Sequence, residues 1–291
     1  DETKKEQILF LSRLCGSISE NSQQIPKMLP ATAITNIPEG SRFSKSYSYF
    51  SLKPKFVNNP LREKLSRQCR LEYLKGYLWW SIEQSSILSN GLKNSIELEN
   101  WHDSALRKSS WSSIEVKMKQ ETTEQIKIPS YPSSFVSQFL FDGCKSFHGQ
   151  TAHTADTITI RFMAQLLTLR VISIYENFIK SNISDSIDKK ISREGLVQML
   201  FDIKYILDVL SGAYQQQEEW PELVKEVYPI IPKDNEISLD GNLKSQITTF
   251  LSFVKKQFEP IDLAFYEPRI QSFVQKSYLQ SSVSLGYFIN T

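Results

Sequence analysis

The spacing of hydrophobic positions predicts a chain built almost entirely from helices. Through most of the sequence, apolar residues recur at steps of three or four, the spacing that places them on one side of an α-helix. Around residue 200, for example, Leu196, Leu200, Ile203 and Leu207 share one face, while Asp202 lies on another. We therefore expect a helix at this position with one side to bury.

The same spacing predicts further helices, with caps and breakers at their ends. Asn90 and Gly91 are expected to end one helix, since both residues tolerate a positive φ, and Asp156 is expected to begin the longest one. Ser133 or Ser134 can begin another. The predicted helices cover about residues 3–19, 61–90, 92–116, 133–147, 158–179, 192–212, 221–228, 241–258 and 267–289.

Residues 20–60 have a different composition and predict a long irregular insert. The segment is rich in Ser and Asn and has no sustained helical period. It contains five prolines: Pro26, Pro30, Pro38, Pro54 and Pro60. Phe43, Lys45, Tyr47 and Tyr49 alternate with Ser or Arg, which allows a short hairpin or an extended segment.

A domain boundary is expected near residue 125, because residues 120–132 are polar and end with two prolines. Residues 1–124 would form an N-terminal helical part that contains the insert, and residues 125–291 a C-terminal helical bundle. The predicted fold class is all-α, with elongated antiparallel helical bundles and little or no sheet outside residues 40–57.

Charge argues against a nucleic-acid-binding protein. The 34 Lys and Arg nearly balance the 32 Asp and Glu, which gives a formal net charge of +2. Residues 42–56 do interleave cations and aromatic residues as single-strand binders do, so RNA binding through this segment stays an alternative hypothesis. We expect no nucleic-acid partner, because the chain is almost neutral and lacks the sequence signature of a known RNA-binding module.

Cysteine usage and the N-terminus favour a cytosolic location. Cys15, Cys69 and Cys144 are odd in number and widely spaced, so the sequence indicates neither a disulfide framework nor a paired metal site. The polar start at Asp1 is no secretory signal, and its lack of Met suggests a fragment.

No membrane span is predicted. The longest apolar stretch, residues 158–179, contains two arginines, each of which would cost about 2.5–3.5 kcal/mol at a bilayer centre. We therefore interpret the stretch as a buried helix of a soluble protein.

No motif of enzyme chemistry is present: the sequence lacks a nucleotide-binding glycine loop, a nucleophile elbow, a zinc-protease helix and a paired CxxC. One group of residues invites a metal or Cys–His hypothesis: Asp142, Cys144, His148, His153 and Asp156. Its spacings match no common ligand pattern, so a helix end with a core cysteine is the favoured interpretation. We expect no catalytic residues, no cofactor and no metal.

Three segments of the C-terminal half carry a family resemblance. They are a Pro-Ser segment before a helix (residues 128–141), the aromatic-Asp helix of Leu200–Tyr205, and a Pro-rich aromatic segment (residues 258–268). In this order they resemble the C-terminal region of subunit 1 of the conserved oligomeric Golgi (COG) complex. The resemblance covers about residues 125–290, and motifs alone name no counterpart for residues 1–124.

The resemblance implies a non-catalytic subunit of a multisubunit complex that tethers retrograde transport vesicles within the Golgi and so maintains glycosylation. Its implied partners are the other subunits, with SNAREs and small GTPases of the Rab class as further candidates. It implies peripheral association with the cytosolic face of Golgi membranes through those partners. A helical adaptor of another complex and an enzyme whose site carries no motif remain alternatives.

The residues that carry the resemblance are the candidates for structural or interaction roles. They are Phe201, Asp202, Tyr205, Pro260, Asp262, Phe265, Tyr266 and Pro268. We expect the four aromatic side chains among them to be largely buried, where the helix of residues 192–212 meets a turn between the two prolines.

Overall fold

The predicted helical class is confirmed by a computed structural model. The structure describes residues 2–22, 60–102, 111–117, 123–151, 154–184, 191–211, 220–230 and 242–289. These residues form helices and one two-stranded sheet. The predicted hairpin at residues 43–49 and the basic aromatic segment at residues 42–56 lie outside the described residues.

Helices account for most of the described residues. In chain order they are α1 (Glu2–Asn21), α2 (Pro60–Leu98), α3 (Ser134–Thr151), α4 (Thr157–Ser184), α5 (Arg193–Ser211), α6 (Glu222–Val227), α7 (Leu243–Lys255), α8 (Pro260–Ser281) and α9 (Gly286–Ile289). A short 3₁₀ turn, Tyr228–Ile230, follows α6. Strands β1 (Ser112–Lys117) and β2 (Thr123–Ile128) pair antiparallel, with Ser112 opposite Ile128.

The predicted helix end at Gly91 is wrong, because α2 continues to Leu98. Leu92 and Ile96 are buried just beyond the glycine. Burying a Leu or Ile side chain contributes about 1.5–3 kcal/mol, more than the roughly 1 kcal/mol that a glycine costs inside a helix. The burial of the following turns therefore outweighs the local signal.

The predicted helix at residues 92–116 is also wrong at its C-terminal end, because residues 112–116 lie in strand β1. In β1, Ile114 and Val116 alternate with polar residues, and β2 repeats the pattern with Ile126 and Ile128. Alternation of β-branched residues at a period of two is typical of strands, and in a short stretch it is easily confused with a helical period.

The predicted turn between Pro260 and Pro268 is the beginning of helix α8. Pro260 occupies the first helical turn, where its fixed φ is suitable and no amide donor is needed. Pro268 lies inside the helix on its exposed side, where water can satisfy the carbonyl that loses its partner. The predicted helix of residues 267–289 is thus two helices, α8 and α9.

The described chain divides into two compact units, and the first contains residues 1–80 and 220–232. In it α1 runs antiparallel to the first part of α2. Near one end of the pair, the Ser19 and Ser66 hydroxyls lie 3.2 Å apart, and toward the other end Ser12 lies beside Gly76. Helix α6 completes the unit with the buried residues Val224 and Val227.

The second unit contains residues 81–219 and 233–291, and α5 lies at its centre. Helix α5 packs against α3, α4, α8 and α9. Its side chains are buried on almost every face from Val197 to Leu207, so the expectation that only one side of this helix is buried is wrong. The polar faces are covered too, by α8 and by residues 130–133.

Helix direction varies within this unit. The second part of α2 runs antiparallel to α3, since Gln84 hydrogen-bonds to Ser146 and Leu88 lies beside Gly143. Helices α5 and α8 run in the same direction, because the beginning of α5 contacts the beginning of α8 and Tyr205 contacts Ser281 near the end of α8.

Among the described residues, one helical stretch, residues 157–182 of α4, is long and apolar enough to cross a membrane. In this structure, however, 61% of its most apolar window is buried inside the protein. Its buried Arg170 donates from Nε to the Ser85 hydroxyl at 3.1 Å. Burial of this kind is what a core helix shows.

Candidate functional site

The eight candidate residues lie where α5 meets α8. We call this region, together with the connecting segment of residues 130–133, the α5–α8 junction. The structure sorts them by exposure. Phe201, Asp202, Tyr205 and Tyr266 are buried, Asp262 and Phe265 are half-buried, and Pro260 and Pro268 are exposed. The junction therefore has a buried part on α5 and an accessible part on the first turns of α8.

Asp202 is the centre of the buried part. Its carboxylate accepts hydrogen bonds from the Ser133 backbone N–H at 2.8 Å and the Ser133 hydroxyl at 2.6 Å. It also accepts one from Gln198 Nε2 at 3.0 Å. A buried carboxylate is tolerated when its oxygens are satisfied in this way, and bonds to a charged acceptor are stronger than neutral ones. Asp202 thereby attaches α5 to the start of α3.

Gln198 extends the same network toward the β-hairpin. Its side-chain oxygen accepts from Trp111 Nε1 at 3.1 Å, and its Nε2 also donates to the Tyr131 carbonyl at 3.2 Å. Gln198 and Asp202 are one helical turn apart, which is why both reach the same neighbouring segment. The network fixes the position of the residues that precede α3.

A second polar group joins α5, α7 and α8. The Lys204 ammonium donates to Glu267 at 3.2 Å and to Gln271 at 3.0 Å, and Lys255 of α7 approaches the same Glu267 oxygen at 2.6 Å. Burial acts to raise the pKa of Glu267, but hydrogen bonds and charges from Lys255 and Lys204 outweigh it, so the pKa lies below its usual value. Glu267 is therefore a carboxylate shared by two lysines.

Two tyrosines lie within this part of the core. The Tyr205 hydroxyl hydrogen-bonds to the Ser281 hydroxyl at 2.8 Å, which connects the second half of α5 to the end of α8. The Tyr175 hydroxyl is buried and has no hydrogen-bond partner among the described residues. Burial, with the nearby charge of Asp202, raises the pKa of Tyr175 well above its ordinary value, so this side chain stays neutral.

The accessible part of the junction holds charged and aromatic groups. Arg193 forms an ion pair with Asp262 and lies 5.5 Å from the ring centroid of Tyr266. Arg269 stacks over Phe265 at 3.9 Å. Beside them Ile261 is 82% exposed, which leaves a large apolar side chain in water at the start of α8.

Helix α1 carries the other exposed apolar group. Phe10, Leu11 and Leu14 are 64%, 57% and 49% exposed, and their spacing places them along one side of α1. We call these three residues the α1 stripe. A row of large apolar side chains in water is typical of an interaction surface.

The structure describes four of the five residues that invited a metal or Cys–His hypothesis. Cys144 is buried, His148 is exposed, and Asp156 accepts from the Thr159 backbone N–H at 2.8 Å, as a helix cap should. His153 lies outside the described residues. Within the described parts of the chain, no three His, Cys, Asp or Glu side chains are grouped so that they could hold a metal ion.

Comparison with curated proteins gives matches that cover the chain from end to end. The human protein named conserved oligomeric Golgi complex subunit 1 is 21% identical over an alignment of 307 residues, which covers 100% of this chain and 28% of the human protein. Its mouse counterpart is also 21% identical, over 99% of this chain and 28% of the mouse protein. The predicted resemblance to subunit 1 of the COG complex is confirmed.

The similarity reaches further along the chain than the motifs indicated, because it includes residues 1–124. The chain spans 28% of the length of the curated relatives that it matches. No protein-family model matches the chain, and no solved structure matches it either.

Several residues of the site were not predicted from the sequence. Gln198, Trp111 and Ser133 belong to the Asp202 network, yet they are separated from one another by tens of residues, and only Gln198 carries a sequence signal, its position one turn before Asp202. Cys15 and Cys69 are brought near each other by α1 and α2, although their separation in the sequence suggested isolated residues.

Proposed function

We propose that this chain is a non-catalytic helical part of a subunit in a multisubunit tethering complex of the Golgi. The observation that carries the proposal is the end-to-end similarity to proteins named as subunit 1 of the COG complex. In this proposal the complex acts in intra-Golgi retrograde transport. The chain's direct partners are the other subunits, and SNAREs and Rab-class GTPases bind the assembled complex.

The arrangement of the described residues supports this proposal. The buried side chains of Asp202, Lys204 and Tyr205 at the α5–α8 junction are each hydrogen-bonded to other described residues of the chain, which is what groups that hold helices together show. Large apolar side chains are instead exposed on helix surfaces, as at Ile261 and Leu279 of α8. Residues 261 and 279 are five full helical turns apart, so both lie on one side of α8, the arrangement that a partner helix or bundle can cover.

The test uses the protein in its own cells, affinity-purified from wild-type cells and from cells carrying surface variants. We expect the wild-type chain to co-purify with the other subunits of the oligomeric Golgi complex. Leu279→Asp and Ile261→Asp should reduce that recovery several-fold, because a charge on a covered apolar surface must be desolvated.

The matched control is Gln280→Asp, which adds the same charge at the neighbouring exposed position of α8. It should leave recovery unchanged, and all three variants should keep the wild-type melting temperature. A second readout is the position of a Golgi glycosyltransferase, which should be disturbed in proportion to the loss of recovery.

Two outcomes would count against the proposal. Recovery of the wild-type chain in a different hetero-oligomer would support the alternative of a helical adaptor. A loss of function on replacing Cys144 and His148 by Ala, with assembly intact, would instead point to chemistry at those side chains.

A further inference from the structure

Cys15 and Cys69 face each other across the antiparallel pair of α1 and α2. The register of the pair is fixed by contacts on both sides of them: Ser19 with Ser66, and Ser12 with Gly76. Cys15 comes one turn before Ser19, and Cys69 one turn after Ser66, so the register brings the two cysteines to the same level. Consistent with this, Cys69 is close enough to the Cys15 thiol to help raise its pKa.

The two helices approach each other closely at this level. A Cβ added to Gly16 would lie 2.8 Å from the Tyr73 ring, and one added to Gly76 would lie 3.0 Å from the Ser12 Cβ. Contacts this short mean that the backbones are nearer than ordinary side chains permit. A disulfide requires its two Cα atoms to be about 4.4–6.8 Å apart, and a close approach of the two helices favours such a separation.

Both thiols can be reached by small molecules. Cys15 and Cys69 are partly exposed, whereas Cys144 is 7% exposed. Cys15 also lines an open cavity of about 330 Å³ beside Glu72 and Trp79.

From this geometry we propose that Cys15 and Cys69 are a redox-responsive pair that closes a reversible disulfide between α1 and α2 by exchange with a small-molecule disulfide of the glutathione type. One thiolate attacks the small disulfide, forms a mixed disulfide and releases one small thiol. The second thiolate then attacks the protein sulfur of the mixed disulfide, forms the Sγ–Sγ bond and releases the second small thiol. The protein gives up two electrons and two protons, and the small disulfide is reduced to two thiols.

The environment of the pair affects the rate of the exchange. Burial, followed by the nearby Cys69 and Glu72, raises the pKa of the Cys15 thiol. The thiolate is the attacking species, so the exchange should accelerate as pH rises through neutrality. In a compartment kept reducing by glutathione, such a pair would be oxidised only transiently, as redox-sensing disulfides are.

The experiment treats the folded 291-residue chain with oxidised glutathione and measures free thiols, peptide masses and melting temperature. We expect two of the three thiols to be lost together and one peptide to join residues 15 and 69. Melting temperature should rise, because the bond closes a loop of about 50 residues in the unfolded chain. Dithiothreitol should restore both thiols and the original melting temperature.

Cysteine variants separate the pair from general oxidation. Cys144→Ser should cross-link as the wild-type chain does, whereas Cys15→Ser and Cys69→Ser should each stop at a single mixed disulfide with glutathione. All three should retain the helical circular-dichroism spectrum. The proposal is overturned if folded wild-type protein gives separate glutathione adducts, disulfide-linked dimers or unreacted thiols in place of the internal bond.

Discussion

The two helix pairs, α5 with α8 and α1 with α2, are held together in opposite ways. At the α5–α8 junction, large aromatic side chains fill the interior, and the buried polar groups of Asp202, Lys204 and Tyr205 each have partners. Between α1 and α2 the contact is made by small residues, Ser12 and Gly76 among them, which let the backbones approach. Substitutions that remove side-chain atoms should therefore destabilise the α5–α8 contact most, and substitutions that add side-chain atoms should destabilise the α1–α2 contact most.

The difference extends to the surfaces that each pair leaves in water. Helix α5 is buried on nearly all sides and can offer little to a partner directly. Helix α1 uses its small residues for packing and leaves the α1 stripe exposed. Substitutions in α5 should therefore act on stability, and any effect on assembly would follow from that.

The largest effect is expected from Phe201→Ala at the junction. Phe201 is completely buried, and truncation of a buried Phe costs about 3–5 kcal/mol in the free energy of unfolding. Urea denaturation of the two proteins measures the difference. Phe265→Ala is the matched control, because Phe265 lies half-buried on α8 and should cost less than half as much. Unchanged stability combined with lost partner binding would mean that Phe201 belongs to an interface.

The next effect concerns hydrogen bonds rather than volume. Asp202→Ala leaves the Ser133 amide and hydroxyl without their acceptor and removes one of the two acceptors of the Gln198 amide. An unsatisfied buried donor is costly, so we expect a loss of about 2–3 kcal/mol in the free energy of unfolding. Asp202→Asn keeps one acceptor oxygen of the same shape and should recover about half of that loss. Asp202→Asn with wild-type stability would instead show that the residue contributes through packing alone, because Asn keeps the volume of Asp but not its charge or its second acceptor oxygen.

The sequence predicts structure well where the interactions are between residues close together in the chain, and poorly where they join distant residues. The spacing of Leu196, Leu200 and Ile203 predicts α5 almost to its ends, because helical periodicity is local information. The start of α8 was missed because Pro260 and Pro268 are typical turn residues, although one is suited to a first helical turn and the other lies on the exposed side.

The partners of the buried polar residues could not be predicted in the same way. Asp202 was expected on a polar face, and its burial depends on Ser133, which lies 69 positions earlier in the chain. No local pattern encodes such a contact. The Cys15–Cys69 contact is an intermediate case: each helix was predicted, but their register depends on the packing of Gly76 and its neighbours.

The smallest effect tests the α1–α2 contact, with two glycines of the same helix. Gly76→Ala puts a Cβ against Ser12 and should cost about 1–2 kcal/mol, since overpacking outweighs the gain in helix propensity. Gly91→Ala is the control: nothing lies within 4 Å of its added Cβ, so the same substitution should stabilise the chain by up to about 1 kcal/mol. If α1 and α2 approach each other as closely as the structure shows, thermal unfolding gives a lower melting temperature for Gly76→Ala and a higher one for Gly91→Ala.

A second substitution, Ser12→Ala, shortens the side chain that faces Gly76. In the Ser12→Ala background, Gly76→Ala should cost less in the free energy of unfolding than in the wild-type chain, whereas the effect of Gly91→Ala should be unchanged. If Gly76→Ala instead raises the melting temperature as Gly91→Ala does, α1 does not pack on α2 at this glycine, and the register that pairs Cys15 with Cys69 would be wrong as well.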